Sequence, residues 1–233
     1  MFDAVRPDAV AVSASAQYRQ IAFDYFSELA AAGGPPWQRA GWSSSETQRQ
    51  RWKVFADAVP FRRSSVLDVG AGAGGFATFL HRVGAAPASY IGVEPVAINC
   101  RLLASEPGVD AVICGTTDAV MPSPCADYVT ASGLFNFEHP AWIEHFVLEV
   151  CEFLRRARRA VVVNAIVPDS LWKAAIAQLD QGGVAALDLT NGDHKERACV
   201  LSKLSPVRTP FDSDGEALMR QPHPDCRRPS PAS

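Results

Sequence analysis

The segment Val66-Leu67-Asp68-Val69-Gly70-Ala71-Gly72-Ala73-Gly74-Gly75-Phe76 constrains this chain more than any other. A short β-branched run ends beside an acid, glycine then fills most of a six-residue turn, and Phe76, Phe79, Leu80 and Val83 recur at helical spacing. The pattern reads strand, tight turn, helix. Glycines in such a turn admit backbone conformations that a Cβ forbids, and they let the backbone approach a ligand closely. Glu94 closes the next apolar run, about twenty residues beyond the turn, where an acid can accept both hydroxyls of a ribose.

The rest of the chain repeats the same rhythm. Ser65–Val69, Tyr90–Val93, Val109–Cys114, Asp127–Ala131 and Ala160–Val167 read as strands, apolar almost throughout. Gly75–Val83, Ala97–Ser105 and Trp142–Arg156 read as helices between them. Strands apolar on both faces and separated by helices predict a parallel sheet covered on both sides, a doubly wound α/β domain. Its expected span is residues 61–205, behind a helical cap over residues 1–60. In the cap, Tyr18, Ile21, Ala22, Tyr25, Phe26 and Leu29 form one apolar stripe. Phe23 lies off that stripe and needs a second contact surface. Gly33-Gly34-Pro35-Pro36 ends this helix, and Ser43 with Glu46 predicts a capping box for the next, which carries Trp52, Phe55 and Val59.

After Pro168 the pattern weakens. Leu171–Leu179 reads as an amphipathic helix, and Val184–Leu189 with Ala198–Leu204 as two strands joined through Asn191-Gly192, an antiparallel edge. Residues 206–233 are rich in proline and poor in large apolar side chains, so a disordered tail is expected there.

Composition narrows the class. Of 233 residues, 48% are hydrophobic and 20% charged, enough apolar content for a sizeable core, and the net charge is -3. An acidic balance argues against a surface built to hold nucleic acid or an anionic membrane. Arg155, Arg156, Arg158 and Arg159 end a helix, where the dipole favours cations, and aromatic residues do not interleave them. Nucleic acid is therefore a disfavoured partner. No apolar run reaches the length of a membrane span, and Asp3 and Asp8 stand where a signal peptide needs a basic start. A soluble, cytoplasmic protein is expected. The six cysteines form no C-x-x-C and the five histidines no helical pair, so neither a metal site nor a disulfide is expected.

The charge pattern around the glycine turn selects among nucleoside ligands. No Lys or Arg lies between Ser64 and Leu80, and the G-x-x-x-x-G-K-[ST] phosphate loop is absent. A pyrophosphate can rest on a helix N-terminus without basic help, and Gly70, Gly72 and Gly75 formally match G-x-G-x-x-G, so an NAD(P)-dependent oxidoreductase stays open. Asp68, however, would repel a diphosphate and suits a ligand carrying an ammonium or sulfonium. Asp118 and Asp127 add to the acidity of this edge.

These residues resemble the class I, Rossmann-like S-adenosylmethionine (SAM)-dependent methyltransferases. Asp68-Val-Gly70-Ala-Gly72-Ala-Gly74 is similar to their D-x-G-x-G-x-G motif, and Ile91-Gly-Val-Glu94 to their second motif. The resemblance implies that SAM is the cofactor. Asp68, Gly70, Ala71, Gly72 and Gly74 would then wrap its methionine part, and Glu94 with Pro95 its ribose. Thr117 and Asp118 would meet the adenine amino group, and Ser132 with Gly133 would sit where methyl meets acceptor. Trp42-Ser-Ser-Ser-Glu-Thr-Gln48-Arg49, Ser132-Gly133-Leu-Phe-Asn136 and Val163-Asn164 resemble, more narrowly, a bacterial subgroup of small-molecule methyltransferases. Beyond residue 167 the sequence departs from that subgroup, whose aromatic-rich stretch and closing strand are replaced by Gly-, Asp- and Pro-rich sequence. The last strands and the substrate lid are placed in doubt by that departure.

Methyl transfer needs collinear nucleophile, methyl and sulfur, and a general base only for some acceptors. Asn136, Glu138 and His139 follow the fourth strand and are the catalytic candidates; they equally fit a polar loop entering the Trp142 helix. No D/N-P-P-Y/W follows that strand and no set of acids suggests a catechol-type metal site, so a small-molecule acceptor is preferred. Tyr25, Trp42 and Gln48 of the cap are candidate contacts, or core between helix and sheet. A non-catalytic relative that only binds the cofactor is the third alternative.

Overall fold

The computed structural model describes residues 9–120, 125–137, 139–190 and 196–203. The expected Asn191-Gly192 turn, the expected tail and Glu138 lie outside them. Three helices come first, α1 (Ala9–Ala32), α2 (Pro36–Arg39) and α3 (Ser45–Ala58). Strands and helices then alternate as β1 (Ser65–Val69), α4 (Gly75–Arg82), β2 (Ser89–Glu94), α5 (Ala97–Leu103), β3 (Ala111–Cys114), β4 (Ala126–Ala131), α6 (Trp142–Arg156), β5 (Ala157–Ile166), α7 (Asp169–Gln181), β6 (Val184–Asp188) and β7 (Glu196–Lys203). A 3-10 turn at Thr117–Ala119 precedes β4.

The strands form one sheet in the order β3-β2-β1-β4-β5-β7-β6. β1 to β5 are parallel; β7 runs antiparallel between β5 and β6. This is the doubly wound, mostly parallel α/β sheet expected from the alternation. It is completed after Pro168 by a full antiparallel pair, so the doubtful last strands are present. Strand order reverses between β1 and β4, and ligands of such sheets bind in the crevice beyond the strand C-termini at that reversal.

Each face of the sheet is buried. Leu67, Val69, Val129, Val161 and Val163 pack against Trp142, Phe146 and Phe153 of α6. Val66, Tyr90, Tyr128 and Val162 pack against Phe55 of α3 and Phe76 and Leu80 of α4. Alternate residues of one strand thus enter opposite cores, which is why the runs read as apolar throughout. Among the described residues, no helix is long and apolar enough to cross a membrane.

Three expectations need correction, and one short helix had none. The capping box is Ser44 with Thr47: Ser44 Oγ accepts from Thr47 N (3.1 Å) and Thr47 Oγ1 accepts from Ser44 N (3.2 Å). Glu46, one position earlier, lies on the exposed side and pairs with Arg49. The α1 stripe is split: Tyr18 and Ala22 are buried, but Ile21 and Tyr25 are 49% and 42% exposed, because α1 packs through a narrow seam on α6. The four-residue α2, held between Gly34 and Gly41, had too little sequence to show a period. Finally, Cys100 and Cys114 pair as a disulfide, their Cα atoms 6.0 Å apart. The parallel pairing of β2 with β3 brings the start of α5 beside the end of β3, a proximity that a spacing of 14 residues does not announce.

Candidate functional site

A cavity of about 440 Å³ opens over the C-terminal ends of β1, β2 and β4, within the range of small-molecule sites. Asp68, Gly70, Ala71 and Gly72 form its floor, Glu94 and Pro95 one side, Thr117 and Asp118 the far end, and Ser132 and Gly133 the β4 exit. Ten of the eleven residues of the expected cofactor set therefore meet on one cavity. Gly74 is the exception. It holds a φ of +85° as the residue before α4, and its missing Cβ faces Glu106 and Leu103.

The glycine turn is shaped by need at two positions. Gly70 and Gly72 hold φ values of +71° and +56°, and no heavy atom lies within 4 Å of a Cβ placed at Gly72, so the backbone there is bare toward the cavity. Gly72 N donates to Glu94 Oε2 (2.9 Å). The same carboxyl accepts from Val96 N (2.9 Å) and Asn99 Nδ2 (3.4 Å) through Oε1. Glu94 is thus fixed by three donors on the edge of the cavity, and burial pushes its pKa up against their pull.

Asp68 has partners that the sequence did not foreshadow. Asp68, Gly92 and Thr130 stand in register on three neighbouring strands. Thr130 Oγ1 donates to Asp68 Oδ1 (2.7 Å), and the Tyr90 hydroxyl donates to Oδ2 in a short hydrogen bond. The carboxyl is 3% exposed, so it is a buried, doubly bonded group under the cavity floor rather than an open rim charge. Burial raises its pKa to about 6 despite both hydroxyl donors, with the Glu94 charge adding to the rise.

The roof comes from the N-terminal helices. Trp42 packs on the β4 exit, where a Cβ at Gly133 would lie 3.0 Å from Trp42 Cζ2. Trp52 covers the start of α4 in the same way at Gly75, at 2.5 Å. Arg51 stacks its guanidinium 4.2 Å above the Trp42 ring and pairs with Glu196 of β7, locking this roof to the sheet. Trp42 and Gln48 line the cavity as expected; Tyr25 does not.

Several lining residues had no sequence signal. Arg19 of α1 pairs with Asp118 (3.1 Å) and Glu149 (3.5 Å), clasping α1 to the far end of the cavity. His145 of α6 stacks on Tyr18 with ring centroids 4.0 Å apart and shares a 2.8 Å hydrogen bond with Ser15 through Nδ1. Burial lowers its pKa to about 3, so it stays neutral at physiological pH. Arg156, one of the arginines read as helix-terminal, does not line the cavity and is 3% exposed; it donates to the carbonyls of Thr117 and Val120 and so sets the turn that presents Asp118.

The catalytic candidates stand apart. Asn136 Oδ1 accepts from Ile166 N (3.0 Å) and His139 Nδ1 accepts from Ala141 N (3.1 Å). Neither lines the cavity. Both tie the loop that leaves β4.

Two buried polar atoms on the cavity lack partners among the described residues, Asn99 Oδ1 and Ser132 Oγ. Each atom is closed to solvent, so it is other atoms of Asn99 and Ser132 that meet the open cavity. A ligand bearing hydroxyls and amino groups suits a lining that includes the acids Glu94 and Asp118. S-adenosylmethionine is such a ligand, and the residues present fit it: carboxyls below and beside the cavity, bare glycine backbone, and no cation in the turn.

No protein-family model and no curated protein matches the chain. Solved structures do. A SAM-dependent methyltransferase from Leishmania major shares 14% identity over 79% of this chain and 83% of its own, at a TM-score of 0.58. One from Bacteroides fragilis, in complex with S-adenosyl-L-homocysteine, shares 14% identity over 68% and 81%, at 0.51. A ribosomal protein L11 methylase from Lactobacillus delbrueckii subsp. bulgaricus shares 12% over 71% and 82%, at 0.52. Likeness at such identities establishes architecture: the chain shares the Rossmann-like α/β fold of these methyltransferase structures.

Proposed function

We propose that the protein is a SAM-dependent methyltransferase acting on a small-molecule acceptor held beneath α1, α2 and Trp42. The observation that carries the reading is convergence on one cavity. Asp68, Gly70, the bare backbone at Gly72, Glu94 and Asp118 surround it, and the turn carries no cation to attract a phosphate. When bound, SAM supplies a methyl group on a cationic sulfur, already an excellent leaving group. Glu94, kept in place by Gly72 N and Val96 N, would hold the ribose hydroxyls. Ionised Asp68 favours positive charge above the floor. Trp42, seated on Gly133, covers the β4 exit and would hold an acceptor there in a fixed orientation. Asn136 serves this arrangement by tying the β4 exit to β5 rather than by proton transfer.

The fold alone does not choose the acceptor, since one neighbour is a ribosomal protein methylase. The aromatic roof supports a small one. Formally, Gly70, Gly72 and Gly75 also permit a dinucleotide. Mass spectrometry of the nucleoside that co-purifies, with calorimetric titration of SAM, S-adenosylhomocysteine and NADH, tests the proposal. SAM and S-adenosylhomocysteine should bind and NADH should not; tight NADH binding would reverse the reading. Turnover of SAM on a metabolite panel separates an enzyme from a binding module.

A further inference from the structure

The cavity holds two arginines, and they differ. Arg19 is neutralised by Asp118 and Glu149. Arg39, at the end of α2, has no ion pair among the described residues; its Nε donates to Gly34 O (2.9 Å), which fixes the side chain and leaves both terminal nitrogens without an acidic partner. A guanidinium so oriented presents a two-pronged fork suited to a carboxylate. Phe23 and Phe26 of α1 line the same cavity, and Phe23 remains 40% exposed. Phe23 is the side chain that lies off the α1 stripe, and the second surface it needs is the cavity itself. Arg39 stands three positions before Trp42, on the stretch that supplies the roof, whereas the partnered Arg19 sits at the far end beside Asp118.

We infer that Arg39, Phe23 and Phe26 form the acceptor subsite and select a small carboxylic acid with an aromatic or similarly apolar body. The carboxylate pairs with Arg39 and the apolar body lies against the two phenylalanines. This assignment rests on the methyltransferase reading for the word acceptor, but the recognition chemistry is independent of it.

Phenylacetate and phenylacetamide, titrated by calorimetry into the full chain with and without saturating S-adenosylhomocysteine, form the test. The acid should bind roughly tenfold or more tighter than the amide, the scale of one charge-assisted pair. Arg39→Gln should bring the two within about twofold while S-adenosylhomocysteine affinity stays unchanged, and Arg39→Lys should retain part of the preference. Phe23→Ala should weaken acid and amide alike. Equal binding of acid and amide to the unmodified protein, absence of acid binding, or a preference that survives Arg39→Gln overturns the subsite. Acid selectivity without S-adenosylhomocysteine binding overturns the cofactor reading and leaves the subsite standing. Cofactor binding without acid selectivity does the reverse.

Discussion

Replacing Asp68 by Asn gives the sharpest test of how the cavity floor is built. The amide introduced by Asp68→Asn keeps the shape of the carboxyl and still accepts from Tyr90, and the Thr130 hydroxyl can rotate to accept instead of donate. What disappears is the ionisation. Burial holds the Asp68 pKa at about 6 against an ordinary 3.8. Because the folded state binds this proton more tightly, the associated stability is fully present below the unfolded value and is lost as pH rises through the folded one. The gap corresponds to about 3 kcal/mol, at about 1.4 kcal/mol per pH unit. The unmodified protein should therefore lose about 3 kcal/mol relative to Asp68→Asn between about pH 3 and pH 7, and no more above that. For a domain of this size the loss equals roughly 6–12 °C in melting temperature. Urea unfolding followed by tryptophan fluorescence, at half-unit pH steps, reads it directly. Glu94 titrates in both proteins, so the difference curve reports residue 68 and its coupling to Glu94. A flat difference across that interval would refute the buried-carboxylate account.

Ligand binding should see the same titration. SAM, cationic at sulfur, should gain affinity over neutral-sulfur S-adenosylhomocysteine as pH rises through about 6, and Asp68→Asn should lack that gain; parallel calorimetry at two pH values checks it. Gly133→Ala places a Cβ 3.0 Å from Trp42 at a φ of +81°, and should cost about 1–3 kcal/mol in stability while weakening S-adenosylhomocysteine binding. Unchanged melting and affinity would show that Trp42 does not press on the β4 exit. Arg156→Met strips the donors from Thr117 O and Val120 O, and should destabilise by about 2–3 kcal/mol. Its affinity for S-adenosylhomocysteine should fall further than that of Arg158→Met, since Arg158 points outward.

How much of this was legible beforehand varies by element. β1 (Ser65–Val69) and α6 (Trp142–Arg156) were read to the residue, because a change of period and a turn signal coincide at their ends. The antiparallel β6 and β7 were read as a pair, but the sequence could not say that β7 enters between β5 and β6, since insertion depends on the partner edge. α1 misled at Ile21 and Tyr25: periodicity tells which residues share a face, and how wide a face is covered depends on what it meets. The carboxyl of Asp68 was read as an open charge because its neighbours, Tyr90 and Thr130, are 22 and 62 residues away along the chain. Arg19, Arg39 and His145 carried no motif at all.

Local chemistry in the chain was enough to determine the glycine turn after β1, the acid at the end of β2, and the alternation that forces a parallel sheet with two buried faces. Those features depend on backbone freedom and on periods counted in single residues. Folding alone decided which charges are satisfied: Asp68 by two hydroxyls, Arg19 by two acids, Arg39 by no acid among the described residues. Pairing and desolvation are properties of distance in space, and strand order and the lie of α1 across the cavity set those distances.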